Sequence, residues 1–159
     1  MLALHIGTTR FNDTTLAENR NYRKENNISG AIYGLPVERG RGGMPQAIKR
    51  HALVFVIEMN LSTKKIAGIG RVVNACWRDK YYRIYDDYAY NRYIFKGKEH
   101  LERKEIGDTE CLEILEEILF KGKGHMCRGQ GITQLNPTRL KENEEKIKKF
   151  LNSLFSDPS

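Results

Sequence analysis

At 159 residues the chain has the length of one domain, enough to bury a core without disulfide or metal staples. Its 40% hydrophobic content excludes a disordered chain, and 27 Lys+Arg against 20 Asp+Glu leaves a net charge of +7 that suits a phosphate-rich partner or simply a basic protein. Cys76, Cys111 and Cys127 are odd in number and lack C-x-x-C spacing, which argues against a disulfide framework or zinc knuckle and for a reducing, intracellular setting in cytoplasm or nucleus.

The N-terminal stretch alternates Leu2, Leu4 and Ile6 with Ala3, His5 and Gly7, the period of a half-buried strand ending near Gly7, and not the charged start and apolar run of a signal peptide. Thr15 and Glu18 have capping-box spacing, so a helix is expected from about Leu16 to Lys24. Ile28 to Leu35 reads as a strand stopped by Pro36. Residues 36–51, rich in Gly, Pro and Arg, read as a mobile basic loop.

Ala52 to Met59 has the length and apolar continuity of a central strand, and Glu58 within it excludes a membrane span. Asn60 to Lys64 supplies a turn, and Ile66 to Val73 completes an antiparallel hairpin with Gly68 and Gly70 on one face, where another backbone or a ligand can come close. Trp77 to Phe95 holds more than half of the aromatic residues, with strands expected at Tyr81–Tyr85 and Arg92–Phe95 around an Asp86-Asp87 turn. Asp108 caps a helix with Cys111, Leu112, Leu115, Ile118 and Leu119 on one face, stopped by Gly122. Asn136-Pro137 opens a last helix striped by Leu140, Ile147, Phe150, Leu151, Leu154 and Phe155. No repeat or long linker divides the chain, so residues 1–159 read as a single α+β domain.

Three constellations carry chemistry. Lys121 to Thr133, KGKGHMCRGQGIT, sets four glycines among Lys121, Lys123 and Arg128, with Gln130 between two of them. Glycines let amide N–H groups reach an anion and the cations add charge-assisted contacts, although a solvated connection needs the same residues. Walker spacing is absent, so no nucleoside-triphosphatase and no cofactor is indicated. The basic loop adds Arg39, Arg41, Lys49 and Arg50, again either a phosphate-holding edge or a solvated loop. The third is the aromatic group Trp77, Tyr81, Tyr82, Tyr85, Tyr88, Tyr90 and Tyr93, interleaved with Arg78, Lys80, Arg83 and Arg92, which suits unstacked bases, against the commoner packing role of strand tyrosines; Trp77, with Tyr33 outside the group, is the candidate to stack on a base.

For catalysis, His5, His51, His100 and His125 form no recognisable set, and His125 beside Cys127 lacks the second pair a zinc site needs. A nuclease or nucleotide-processing hydrolase using His51 or His125, and a protein-interaction module built on exposed tyrosines, stay open as alternatives.

The element order, together with the Lys65–Val73 strand KIAGIGRVV, resembles the PUA-like barrel superfamily, which includes the ASCH, EVE and YTH domains. The resemblance implies a mixed, mostly antiparallel β-barrel with a helix after the first strand, here followed by two C-terminal helices, and a pocket holding a nucleotide, often a modified base. It implies Thr8, Thr9 and Asn12 at the pocket mouth, and the match of Glu18-Asn19-Arg20 to the ASCH E-x-R adds Glu18 and Arg20. The segments GTTRFND, YNRYIFKGK and HMCRGQGIT also resemble stretches of uncharacterised proteins of large DNA viruses, a likeness that implies no activity. Together these readings give a module that binds RNA or DNA.

Overall fold

In the computed structural model, which describes residues 4–155, strands form two ladders and three α-helices pack outside them. Leu2 and Ala3 of the expected first strand lie outside the described residues. Strand β1 (His5–Phe11) does not end at Gly7 but continues through Thr8 and Thr9, because it pairs in parallel with a longer strand. Helix α1 (Asp13–Glu25) starts three residues earlier than its sequence signature. Asn12 is the cap, its Oδ1 accepting from Thr15 N at 2.8 Å, while Thr15 Oγ1 accepts from Asn12 N at 3.0 Å. Strand β2 (Ala31–Leu35) follows and is buried along its length.

The loop after β2 is anchored rather than loose. Gly40 N donates to Met44 O at 2.8 Å and Met44 N to Glu38 O at 3.0 Å, which puts Met44 and Ile48 into the core. Strand β3 (Leu53–Asn60) and strand β4 (Lys65–Val73) form the expected hairpin, with a register shift between Glu58 and Met59. Residues 81–85 are not a strand: the Asn91 side chain satisfies this backbone instead of a ladder, accepting from Ile84 N and Tyr85 N at 3.1 and 2.9 Å and donating to Tyr85 O at 2.7 Å. A 3₁₀ turn over Tyr88–Asn91 leads into β5 (Tyr93–Gly97), and the short polar strand β6 (Glu99–Glu102) was unexpected.

Helix α2 (Thr109–Phe120) is capped by Asp108 as its sequence predicts. Two-residue β7 (Thr133–Gln134) comes next. The expected last helix is broken at Lys141, which takes φ 52°, into a 3₁₀ turn over Pro137–Asn143 and α3 (Glu144–Leu154); the break lets Leu140 and Ile147 both enter the core.

The main sheet has the order β6-β4-β3-β1-β7, and β2 pairs with β5 in a separate antiparallel ladder. The fold is therefore α+β with a mixed sheet, and the described strands do not close into a hydrogen-bonded barrel. Strand β3 is buried on both faces. Phe55, Ile57 and Met59 pack towards α2 and α3, whereas Val54 and Val56 face the β2–β5 ladder. Period two places Glu58 on that second face, so the sheet delivers a carboxylate into the space between the two ladders. Among the described residues no helix is long and apolar enough to cross a membrane.

Candidate functional site

The two glycine-bearing basic loops meet. Ile132 N donates to Gly43 O at 3.2 Å, and Gly131, at φ +70°, lies so close to the Gly42 backbone that a Cβ would overlap the carbonyl. Arg10, which the sequence pattern does not single out, holds this junction to β1. Its Nε donates to Gly129 O at 3.1 Å, its Nη2 to Gly131 O at 3.0 Å and to Thr133 Oγ1 at 2.8 Å, and its Nη1 to Thr8 Oγ1 at 3.2 Å. Burial lowers its pKa, opposed by attraction to Tyr90 and Cys127. A lone arginine within a strand was the available signal, but apart from Thr8 its partners lie more than a hundred residues away.

Along the junction runs a trough of about 780 Å³ lined by Arg41, Arg128, Gln130 and Thr133. Gly129 and Gln130 also border a cavity of about 290 Å³ beside the end of β1, so the two openings share a rim. The cavity is walled by Phe11, Tyr33, Tyr85 and Tyr90, with Thr9 and Asn12 at its edge. The Phe11 and Tyr85 rings lie 6.5 Å apart, tilted by 37°. Asn12 Oδ1 is committed to the helix cap, whereas the Thr9 hydroxyl and the Gln130 amide make no hydrogen bond among the described residues and are open to a ligand.

Behind the Tyr33 ring is a buried polar network. Tyr33 Oη donates to Glu58 Oε2 at 2.6 Å, Arg20 Nη2 donates to Glu58 Oε1 at 2.6 Å, and His100 Nε2 lies 3.0 Å from Glu58 Oε2. Glu102 Oε1 completes the group, 2.7 Å from Arg20 Nε without hydrogen-bond alignment, and 3.5 Å from His100 Nδ1. Burial pushes the Glu58 carboxyl up, but hydrogen bonding and attraction from His100 and Arg20 outweigh it and hold the pKa at about 2. Burial and the neighbouring carboxylate drive the Tyr33 phenol well above its ordinary value, so it stays a donor. Asn19 Nδ2 donates to Tyr85 Oη at 3.1 Å and Arg20 Nη1 to Asn19 Oδ1 at 2.9 Å, so α1 holds one of the four cavity rings directly and, through Arg20 and Glu58, braces the hydroxyl of a second, Tyr33. Gly68 and Gly70 make room for this network: a Cβ on Gly70 would overlap the Tyr33 hydroxyl, and one on Gly68 would lie 2.9 Å from Glu58 Oε1.

Of the residues singled out from the sequence, Thr9, Asn12, Tyr33, Arg41, Arg128 and Gln130 converge on the cavity and trough. Thr8 does not line the mouth: it is fully buried, its hydroxyl bonded to Thr133 O at 3.4 Å. Glu18 and Arg20 diverge, Glu18 Oε2 accepting from Asp86 N at 3.0 Å while Arg20 turns into the network. Arg39 is spent inside its own loop, donating to Gln46 O at 3.0 Å and Ile48 O at 3.3 Å. Lys49 and Arg50 are exposed and line neither opening. Lys121 pairs with Glu117 at 2.6 Å in a groove beside the turn preceding α3, and Lys123 is exposed outside both openings. Trp77 stands elsewhere, with Lys96 Nζ 4.0 Å from its ring centroid, on the rim of a separate cavity of about 940 Å³. His51 and His125 are exposed and border neither opening. Comparison of the chain with family models, curated proteins and solved structures returns no match.

Proposed function

We propose that the protein is a nucleic-acid-binding module that seats one unstacked base in the ring-walled cavity and holds neighbouring phosphates in the trough. The observation that carries this reading is the shared rim at Gly129 and Gln130 between a cavity of about 290 Å³ walled by four rings and a groove bearing Arg41 and Arg128. Tyr33, Phe11 and Tyr85 are buried and shape the cavity, so a base at its mouth gains stacking from the half-buried Tyr90 ring and edge hydrogen bonds from groups like the Thr9 hydroxyl and Gln130 amide. The arginines add charge-assisted phosphate contacts that carry no sequence information.

The PUA-like reading of the fold goes with this function. Its support is the near approach of the two ladders, where Gly97 at the end of β5 packs directly on the Arg71 backbone of β4, and the crossing of Tyr33 over Gly70.

Filter binding of labelled single- and double-stranded RNA and DNA across a salt series tests the proposal. The association constant should fall with salt, and Arg41→Ala/Arg128→Ala should flatten the slope by about 0.7–0.9 log units for each phosphate the variant no longer neutralises. Negligible binding at low salt, or binding indifferent to salt, rejects it.

A further inference from the structure

Five large apolar side chains are exposed among the described residues, and three of them, Trp77 (45%), Tyr81 (56%) and Tyr88 (65%), border one depression of about 310 Å³. Solvent-facing rings of this size are costly to cluster without a partner. Arg78, Lys80 and Arg92 border the same depression; Arg78 is paired with Glu38 at 2.5 Å, whereas Lys80 and Arg92 make no ion pair among the described residues, none of which lines the depression with a carboxylate. Tyr81 and Tyr88 hold their ring centroids 5.9 Å apart, and Lys96 supports the Trp77 ring from 4.0 Å. Asp79, the nearest acid in sequence, accepts from the Tyr82 hydroxyl at 2.5 Å.

The depression is adjacent to the cavity proposed to take a base. One 3₁₀ turn, Tyr88–Asn91, separates them: Tyr90 walls the cavity and Tyr88 borders the depression. The turn is fixed at both ends, by Asp87 Oδ1 accepting from Ala89 N at 3.1 Å and by the buried Asn91 amide bonded to residues 84 and 85. Aromatic side chains therefore stand on either side of a short rigid ridge, with Lys80 and Arg92 beside the depression and Arg41 and Arg128 in the trough beyond the cavity's rim.

We propose that Trp77, Tyr81 and Tyr88 form a second stacking platform, continuous with the base cavity across the Tyr88–Asn91 ridge, and that the ligand is a single strand with several unstacked nucleotides. This rests on the nucleic-acid reading above and adds to it the strandedness of the ligand. Rings stack on exposed base faces, which a duplex keeps covered by neighbouring pairs, so an intact duplex gains phosphate contacts alone. The cations around the platform suit the backbone running between successive bases.

Trp77 is the sole tryptophan, so its fluorescence reports this surface directly. The full chain is titrated with a mixed-sequence single strand of about 12 nucleotides, a length within the footprint of single-strand grooves. A dinucleotide and a duplex of the same length as the strand serve as comparisons, with label anisotropy followed in parallel. The single strand is expected to quench Trp77, and the dinucleotide and duplex are not. Tyr81→Ala/Tyr88→Ala should weaken the single strand about 10- to 100-fold with the salt slope unchanged, and Tyr81→Phe/Tyr88→Phe should bind as the parent does. Both positions are exposed, so these variants keep the core. If the strand binds and Arg41→Ala/Arg128→Ala weakens it, yet Trp77 stays silent and the double alanine variant binds normally, the platform is discarded and the base cavity stands. If no oligonucleotide binds with salt dependence, both readings fall.

Discussion

Glu58 is the residue on which the cavity wall depends. It is fully buried, and its two oxygens meet a phenol, a guanidinium and an imidazole. A buried carboxylate so surrounded stabilises only while every partner is present, and removing one partner leaves the rest uncompensated. Glu58→Gln replaces an acceptor-only group with an amide that must turn a donor towards Arg20, Tyr33 or His100. The expected loss is about 3 kcal/mol, read as a lower urea midpoint at neutral pH. The sign of the pH dependence follows from the depressed pKa. The folded carboxyl titrates near 2 against about 4.5 ordinarily, so between those values the unfolded chain binds more protons. The contribution is complete above pH 4.5 and is lost as pH falls towards 2, by about 3 kcal/mol in all. The stability difference between the parent and Glu58→Gln should therefore shrink across that window. A gap that stays constant down to pH 2 would show that Glu58 is not held ionised by its neighbours.

The elements that built the site differ in how openly the sequence declares them. The β3–β4 hairpin and α2 were legible because their signals are local: a continuous apolar run, a polar turn, an Asp cap and a 3.6-residue stripe. Residues 81–85 have strand composition but bond to one side chain, Asn91, and composition does not reveal such a competitor. Strand β6 is only half-buried along its length and lacks the alternation that marks a strand, yet it carries His100 into the network. The pair Gly68 and Gly70 was legible as a place of close approach, and the partner proved to be Tyr33 and its carboxylate. Gly70→Ala should accordingly force the Tyr33 hydroxyl away from Glu58, at a cost of roughly 1–3 kcal/mol, and weaken oligonucleotide binding through the displaced ring. Gly107→Ala is the matched control, since among the described residues nothing lies within 4 Å of a Cβ there, and its thermal midpoint and affinity should stay at the parental values. Equal effects at the two positions would remove the steric argument.

At the scale of the whole molecule, the trough exists because three distant segments share one junction: the end of β1, the loop after β2 and the chain entering β7. Composition marked the two loops as basic and glycine-bearing, but which of their cations face a ligand is decided by closure. Arg39, Lys49 and Lys121 carry the same charge as Arg41 and Arg128 and end up outside the openings. Arg10 makes the closure, with a planar fork of donors spread over Gly129, Gly131, Thr133 and Thr8. A lysine has one ammonium and cannot span that set. Arg10→Lys should keep the positive charge and the main core while releasing the segment before β7. Hydrogen exchange is the measurement: the Ile132 amide, which donates to Gly43 O, should lose at least about tenfold protection, whereas the β3–β4 amides keep theirs. Affinity for nucleic acid should fall in the same variant although Arg10 donors are already committed to protein, because Arg41 and Arg128 would no longer face one groove. Unchanged exchange at Ile132 would mean that the two loops hold each other without Arg10, and the trough would then be a property of the loops alone.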